Sequence, residues 1–200
     1  MPLTWYGADY VDMLPMTSMA FRPIESLGYP GRTYKFFNGS TVYPFGHGLS
    51  YTQFNYNLKS SKRSLNIKLH KLQHCRNVNY SASAYKPMCP AVLIEDLKCH
   101  DNIEFEVQVK NVGRRDGSEV VMVYRVPPEG IVGAPMKELI TFKRVSVAAG
   151  RSKTIKFVVN ACKSLGIVDY TANHLLPAGR HTLMIGDGAV SFPVNINFKY

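Results

Sequence analysis

The chain has 200 residues, 46% of them hydrophobic and 19% charged. A chain of this size buries on the order of 70% of its unfolded surface, so it supports one packed domain or one domain with an appendage, and whole-chain disorder is excluded. Lys and Arg number 24 against 14 Asp and Glu, a formal charge of +10 that favours anionic partners without identifying one. No uninterrupted apolar run approaches the ~20 residues that span a bilayer, so a membrane is not among the expected partners.

In chain order, the first twenty-odd residues are rich in Met, Trp and Tyr, carry no sustained period and are broken by Pro2, Pro15 and Pro23. As the start of an independent domain this is poor material, and as the last stretch of a preceding domain it makes sense. A turn-dense aromatic stretch follows from Tyr29 to Tyr51. Pro30-Gly31 suits the centre of a type II turn, because proline pre-sets φ and glycine accepts the positive φ of the next position. Asn38-Gly39 reads as a second turn, and the aromatics between the turns are expected to pack as a seam between two bodies. Residues 58–100 are the least regular part, with Lys59, Lys62, Arg63, Lys68, Lys71 and Arg76 in one basic run read as a solvated loop.

From Ile103 the signal has period two. Ile103, Phe105, Val107 and Val109 alternate with Glu104, Glu106, Gln108 and Lys110, which predicts a half-buried strand. Residues 111–117 form a turn into a second strand, Glu119 to Val126, ended by Pro127-Pro128-Glu129-Gly130. Leu139 to Val147 and Thr154 to Val159 are two more strands, joined at Ala149-Gly150. His181 to Ile185 is another, and Asp187-Gly188 turns into a last one whose Val190, Phe192, Val194, Ile196 and Phe198 face inwards. Short strands at this spacing, with Gly and Pro turns and no long helix, indicate an antiparallel β-sandwich.

The four cysteines, Cys75, Cys89, Cys99 and Cys162, form no C-x-x-C pair and allow two disulfides in three possible connectivities. Asn38-Gly39-Ser40 and Asn79-Tyr80-Ser81 are N-glycosylation acceptors. Together they point to an oxidising, secretory history. The N-terminus nevertheless lacks a basic segment followed by an apolar one. The two are reconciled if Met1 is not the natural start and the chain is the C-terminal piece of a longer extracellular or cell-wall protein. The alternative is a cytosolic protein with four buried thiols.

A self-contained active site is not visible. Glu104 and Glu106 are two apart on one strand and so share its polar face, whereas acid–base work wants a carboxyl in a cleft. There is no G-x-S-x-G nucleophile turn, and Gly46-His47-Gly48-Leu49-Ser50 reads as a turn. His70 and His74 adjoin Cys75 and could hold zinc with Cys89, but Lys68, Lys71 and Arg76 crowd a site that wants anionic compensation, and a disulfide with surface histidines is the favoured reading. No phosphate- or dinucleotide-binding motif occurs. The basic run has no Phe, Tyr or Trp on which bases could stack, so nucleic acid is not an expected partner. The residues alone therefore predict a β-sandwich module with a foreign N-terminal tail, with no catalytic residue, cofactor or metal.

The N-terminal blocks carry more than composition. Pro15-Met16-Thr17, Arg22-Pro23, Gly28-Tyr29-Pro30-Gly31-Arg32-Thr33-Tyr34 and Val42-Tyr43-Pro44-Phe45-Gly46-His47-Gly48-Leu49-Ser50-Tyr51-Thr52 resemble glycoside hydrolase family 3, in its plant β-D-xylosidase and α-L-arabinofuranosidase branch. Phe21 stands where that branch would have methionine. Residues 107–117 resemble the hairpin of the family's fibronectin type III-like domain, and Pro127-Pro128, residues 139–145 and Gly179-Arg180-His181 fall where that domain would place them. The resemblance implies that residues 1–48 are the end of an α/β sandwich domain plus an aromatic linker, and that residues 49–200 are an immunoglobulin-like, fibronectin type III-like sandwich. The family's retaining chemistry needs two carboxyl groups about 5–5.5 Å apart, and neither of its catalytic motifs matches a position here. The resemblance thus implies a non-catalytic piece of a xylan-acting glycosidase, whose partners are the upstream catalytic domains and cell-wall polysaccharide. A free-standing carbohydrate-binding module and an intracellular zinc or nucleic-acid adaptor are its rivals.

Overall fold

The structure is a computed structural model and describes residues 1–15, 17–70, 73–97 and 99–199. Met16, in the first of the N-terminal blocks, and Lys71, in the basic run, lie outside the described residues. The chain divides into two compact units, Met1–Ser50 with Pro135–Glu138, and Tyr51–Ala134 with Leu139–Tyr200.

In the first unit, β1 (Trp5–Tyr6) pairs antiparallel with β2 (Thr41–Tyr43), and α1 (Thr33–Phe36) is a single turn. Its aromatics pack on one another. Tyr6 and Tyr10 stack at 4.0 Å, and Phe37 meets both edge-on at 4.8 and 5.5 Å. The Tyr10 hydroxyl donates to Gly31 O and the Tyr29 hydroxyl to Ala20 O, so a half-buried and a buried ring fix the backbone around the Pro30-Gly31 bend. Gly31 has φ +92°, and a Cβ there would lie 2.8 Å from Phe36 O, so only glycine fits. Lys35 forms an ion pair with Glu138, and Met136 N–H donates to Lys35 O, tying 135–138 into this unit. Tyr29 and Phe37 are buried, but Trp5, Val11, Met19, Phe21, Leu27 and Val42 are exposed, and Met19 is 78% exposed.

The second unit is mainly β. Its strands are β3 (Phe54–Ser61), β4 (Ser64–Lys68), β5 (Cys75–Arg76), β6 (Ala91–Leu93), β7 (Asn102–Asn111), β8 (Gly117–Val126), β9 (Glu138–Val147), β10 (Ser152–Asn160), β11 (Ile167–Val168), β12 (His174–Pro177), β13 (Gly179–Ile185) and β14 (Val190–Lys199), with a short helix α2 (Ala161–Leu165). A three-stranded sheet, β10-β7-β3, faces a five-stranded one, β4-β14-β13-β8-β9, across the core, and a small sheet, β11-β12-β6-β5, lies beside them. Among the described residues the strands pair antiparallel except β14 with β4. This is the antiparallel β-sandwich that the period-two segments predict, with the fibronectin type III-like character that the family resemblance implies.

The alternation decides what is buried. Ile103, Phe105, Val107 and Val109 of β7 point inwards beside Ile155, Phe157 and Val159 of β10, and meet Val121, Val123, Leu183, Ile185, Phe192, Val194 and Ile196 of the opposite sheet. Phe105 stacks on Phe157 at 5.1 Å and reaches Phe192 at 5.3 Å across the layer. Truncating such a ring to alanine costs about 3–5 kcal/mol.

Two expectations need correction. The basic run from Lys59 to Arg76 is not a solvated loop, because β3 and β4 run through it. Leu65, Ile67 and Leu69 are buried while Asn66, Lys68 and His70 are exposed, so a period-two strand runs beneath the lysines. The turn at residues 111–117 does not close a hairpin. It is an arch between β7 and β8, which belong to different sheets, because both strands turn their valines towards one core from opposite sides. A direct hairpin does form between β13 and β14, where Gly186 (φ +64°) and Gly188 (φ +91°) make the turn.

Candidate functional site

The residues singled out by sequence do not converge. The cysteines pair as Cys75–Cys89 and Cys99–Cys162. Cys75 and Cys89 therefore cannot act as thiolate ligands, while His70 and His74 lie exposed at the surface. Among the described residues no group of three or more His, Cys, Asp and Glu could hold a metal ion. Asn38 and Asn79 are both exposed. Glu104 accepts from Lys156 Nζ at 2.6 Å on the open face of the three-stranded sheet, and Glu106 lies opposite Lys156 in register. The side chains of Lys59, Lys62, Arg63, Lys68 and Arg76 are exposed. No helix among the described residues is long and apolar enough to cross a membrane.

Among its described residues the second unit holds a sizeable concavity, built by three segments far apart in sequence. Residues 79–87 form a loop docked on residues 129–132 through the bridge Tyr80–Ile131. Ser81 N–H donates to Gly130 O, and Val132 N–H to Asn79 O, both at 2.8 Å. Gly130 has φ +81°, and a Cβ on it would lie 2.2 Å from the Ala84 Cβ, so glycine lets the two segments close on each other. The third wall is Ala178–Thr182, where Ala178 N–H donates to Pro90 O. The open groove is about 640 Å³ and is lined by Tyr80, Tyr85, Glu129, Arg180, Ser81, Ser83, Thr182, Pro87, Pro127 and Pro128.

Tyr85 is 84% exposed. The Tyr80 hydroxyl is sealed from solvent and has no hydrogen-bond partner among the described residues, and burial raises its pKa. Glu129 is the one carboxylate among the described lining residues. One carboxylate with a guanidinium and hydroxyls can hold a polar ligand, but it cannot perform a two-carboxylate hydrolysis.

On the core side of the same strands lie two further polar groups that the sequence pattern passes over. Arg125 of β8 is 2% exposed, and His181 of β13 is fully buried. His181 Nε2–H donates to Pro177 O at 2.9 Å, while Nδ1 has no partner among the described residues. Burial pushes the imidazole pKa down to about 4; the Pro177 hydrogen bond opposes this, and the Arg125 charge adds to the lowering. His181 is thus neutral and positioned by packing. The one sequence signal for both groups was a charged or titratable residue inside an otherwise apolar strand. For the groove there was none, since no local motif spans its three walls.

The fibronectin type III-like domain family matches residues 119–189. Over 94% of its length the chain is 41% identical to β-D-xylosidase 1 of Arabidopsis thaliana, covering 24% of that protein. It is 34% identical to β-xylosidase/α-L-arabinofuranosidase 2 of Medicago sativa subsp. varia over 94% of this chain and 23% of that one. Among solved structures it superposes on a GH3 exo-β-xylosidase in complex with a xylobiose aziridine probe, with a TM-score of 0.74 and 27% identity over 98% of this chain and 24% of that chain. The chain therefore spans about a quarter of the length of the relatives it matches.

Proposed function

We propose that this chain, a relative of the plant-type glycoside hydrolase family 3 β-xylosidases that carries their fibronectin type III-like domain, is a non-catalytic C-terminal part of a xylan-acting glycosidase and serves to brace the catalytic domains of the parent. The observation that carries this reading is the extent of the match, nearly all of this chain against a quarter of each relative. Two features support it. The second unit has a complete core of its own, whereas the first leaves Trp5, Val11, Met19, Phe21, Leu27 and Val42 uncovered, a surface suited to burial against further protein. The carboxylates are dispersed, with Glu104 committed to Lys156 and Glu129 alone in its groove, while retaining hydrolysis wants two across one sugar.

Residues 1–48 in this reading are the end of an α/β domain with its linker, and residues 49–200 the sandwich. The parent works outside the cell or in the wall, in keeping with two disulfides and the exposed acceptors Asn38 and Asn79. The test is direct. The purified chain should not hydrolyse nitrophenyl β-xyloside or α-arabinofuranoside, and measurable turnover overturns the reading.

A further inference from the structure

We propose that the groove between residues 80–87, 126–130 and 178–182 binds a neutral β-1,4-linked xylan chain, so that the fibronectin type III-like domain holds polymer as well as bracing its parent; the choice of xylan rests on the functional reading above. Three observations carry it. The ring of Tyr85 is left 84% exposed at the groove, and no described residue stacks on it or hydrogen-bonds to it. Sugar rings present flat C–H faces that pack on such a surface, which is where an aromatic contributes most per side chain.

Arg180 and Glu129 lie in the same groove with no ion-pair partner among the described residues. Adjacent ring hydroxyls are both donors and acceptors, and they suit a forked cation and a two-oxygen acceptor presented together. Ser81, Ser83 and Thr182 also line the walls and add hydroxyl-bearing residues of the same chemistry.

The walls are also stiff. Pro87, Pro127 and Pro128 fix their own φ, and the close seat of Gly130 under Ala84 fixes the loop, so little ordering is needed on binding. Charge selects between saccharides. The whole chain is at +10, but the described lining residues of the groove include one cation, Arg180, and one anion, Glu129, which matches an uncharged backbone and not a uronic-acid polymer. With one carboxylate in place, a bound chain is held and not cut.

The experiment uses the full 200-residue chain, with xylohexaose in calorimetry and neutral arabinoxylan in affinity electrophoresis. Saturable binding is expected, weakened roughly three- to tenfold by Tyr85→Ala or Arg180→Ala. Tyr170→Ala, at a tyrosine that is 85% exposed outside the groove, should leave it unchanged. Thermal melts of the variants serve as the folding control, since both groove side chains are at the surface. No binding overturns the proposal, as does binding that both groove variants leave intact, or retention only on acidic polymer that salt abolishes. Hydrolysis of xylohexaose would instead overturn the domain reading and leave the groove standing, so the two can fail separately.

Discussion

Thr52 Oγ1 donates to Asn111 Oδ1 at 2.6 Å, and both side chains are buried. Asn111 stands where β7 leaves its sheet for the arch to β8. Its Oδ1 also accepts from Gly113 N–H at 3.0 Å, and its Nδ2 donates to Arg115 O and Val147 O at 2.8 and 2.9 Å. One amide thereby joins the start of β3, the arch and the end of β9. Asn111→Ala should cost about 3 kcal/mol or more, because several buried groups lose their partner at once. Thr52→Val should cost only about 1 kcal/mol, since Gly113 N–H still satisfies the oxygen. Urea denaturation of both variants checks this, and equal costs would show that the amide is not the hub.

The two disulfides should differ in worth. Cys99–Cys162 closes 63 residues of chain and Cys75–Cys89 closes 14, so the loop-entropy relation gives about 4 and about 3 kcal/mol. Cys162 is also almost fully buried, so its replacement adds a packing loss. Cys99→Ala with Cys162→Ala should therefore lower the urea midpoint more than Cys75→Ala with Cys89→Ala. A thiol assay without reductant should find no free cysteine in the parent chain.

His181 makes stability depend on pH. Its folded pKa is about 4, below the ordinary 6.5. Above pH 6.5 the imidazole is neutral in both states and contributes no slope. Between 6.5 and 4 the unfolded chain binds a proton that the folded chain refuses, so stability falls as the pH falls. The full loss is about 3 kcal/mol. Carboxylates add their own slope at the acid end, so the measurement is a difference. Unfolding free energies of the parent and His181→Gln, compared from pH 7.5 to pH 4, should show a smaller decline in the variant. Parallel curves would mean that water reaches the ring.

The sandwich from Ile103 onwards was legible because each strand buries one face, and alternation is what a half-buried strand must show. Its sheet partners were not, since Val107 and Val121 look alike whether their strands pair directly or meet across a core. Cysteine pairing was illegible for a similar reason. Cys99 and Cys162 are brought together by β7, β10 and α2, not by spacing. The groove has no signature at all, because Tyr85, Glu129 and Arg180 are neighbours only after three segments fold onto one another.

The basic run is where charge density hid a strand, and this can be tested residue by residue. Ile67 is 6% exposed and packs in the main core with Leu65 and Leu69, while Lys68 between them is exposed. β4 also lies at the edge of its sheet, paired in parallel with β14, where Ile196 stands opposite Leu65 and Phe198 opposite Ile67. Edge strands with outward lysines resist pairing with other chains, so the charge has a structural use. Ile67→Ala should therefore cost about 2–4 kcal/mol, while Lys68→Ala should change stability by less than about 0.5 kcal/mol. A solvated loop would give two small values. Lys68→Val should leave stability near that of the parent but promote concentration-dependent association, read by light scattering, because it removes the charge from an open edge. If Ile67→Ala proves as mild as Lys68→Ala, β4 does not contribute to the core and the register of β14 must be held by β13 alone.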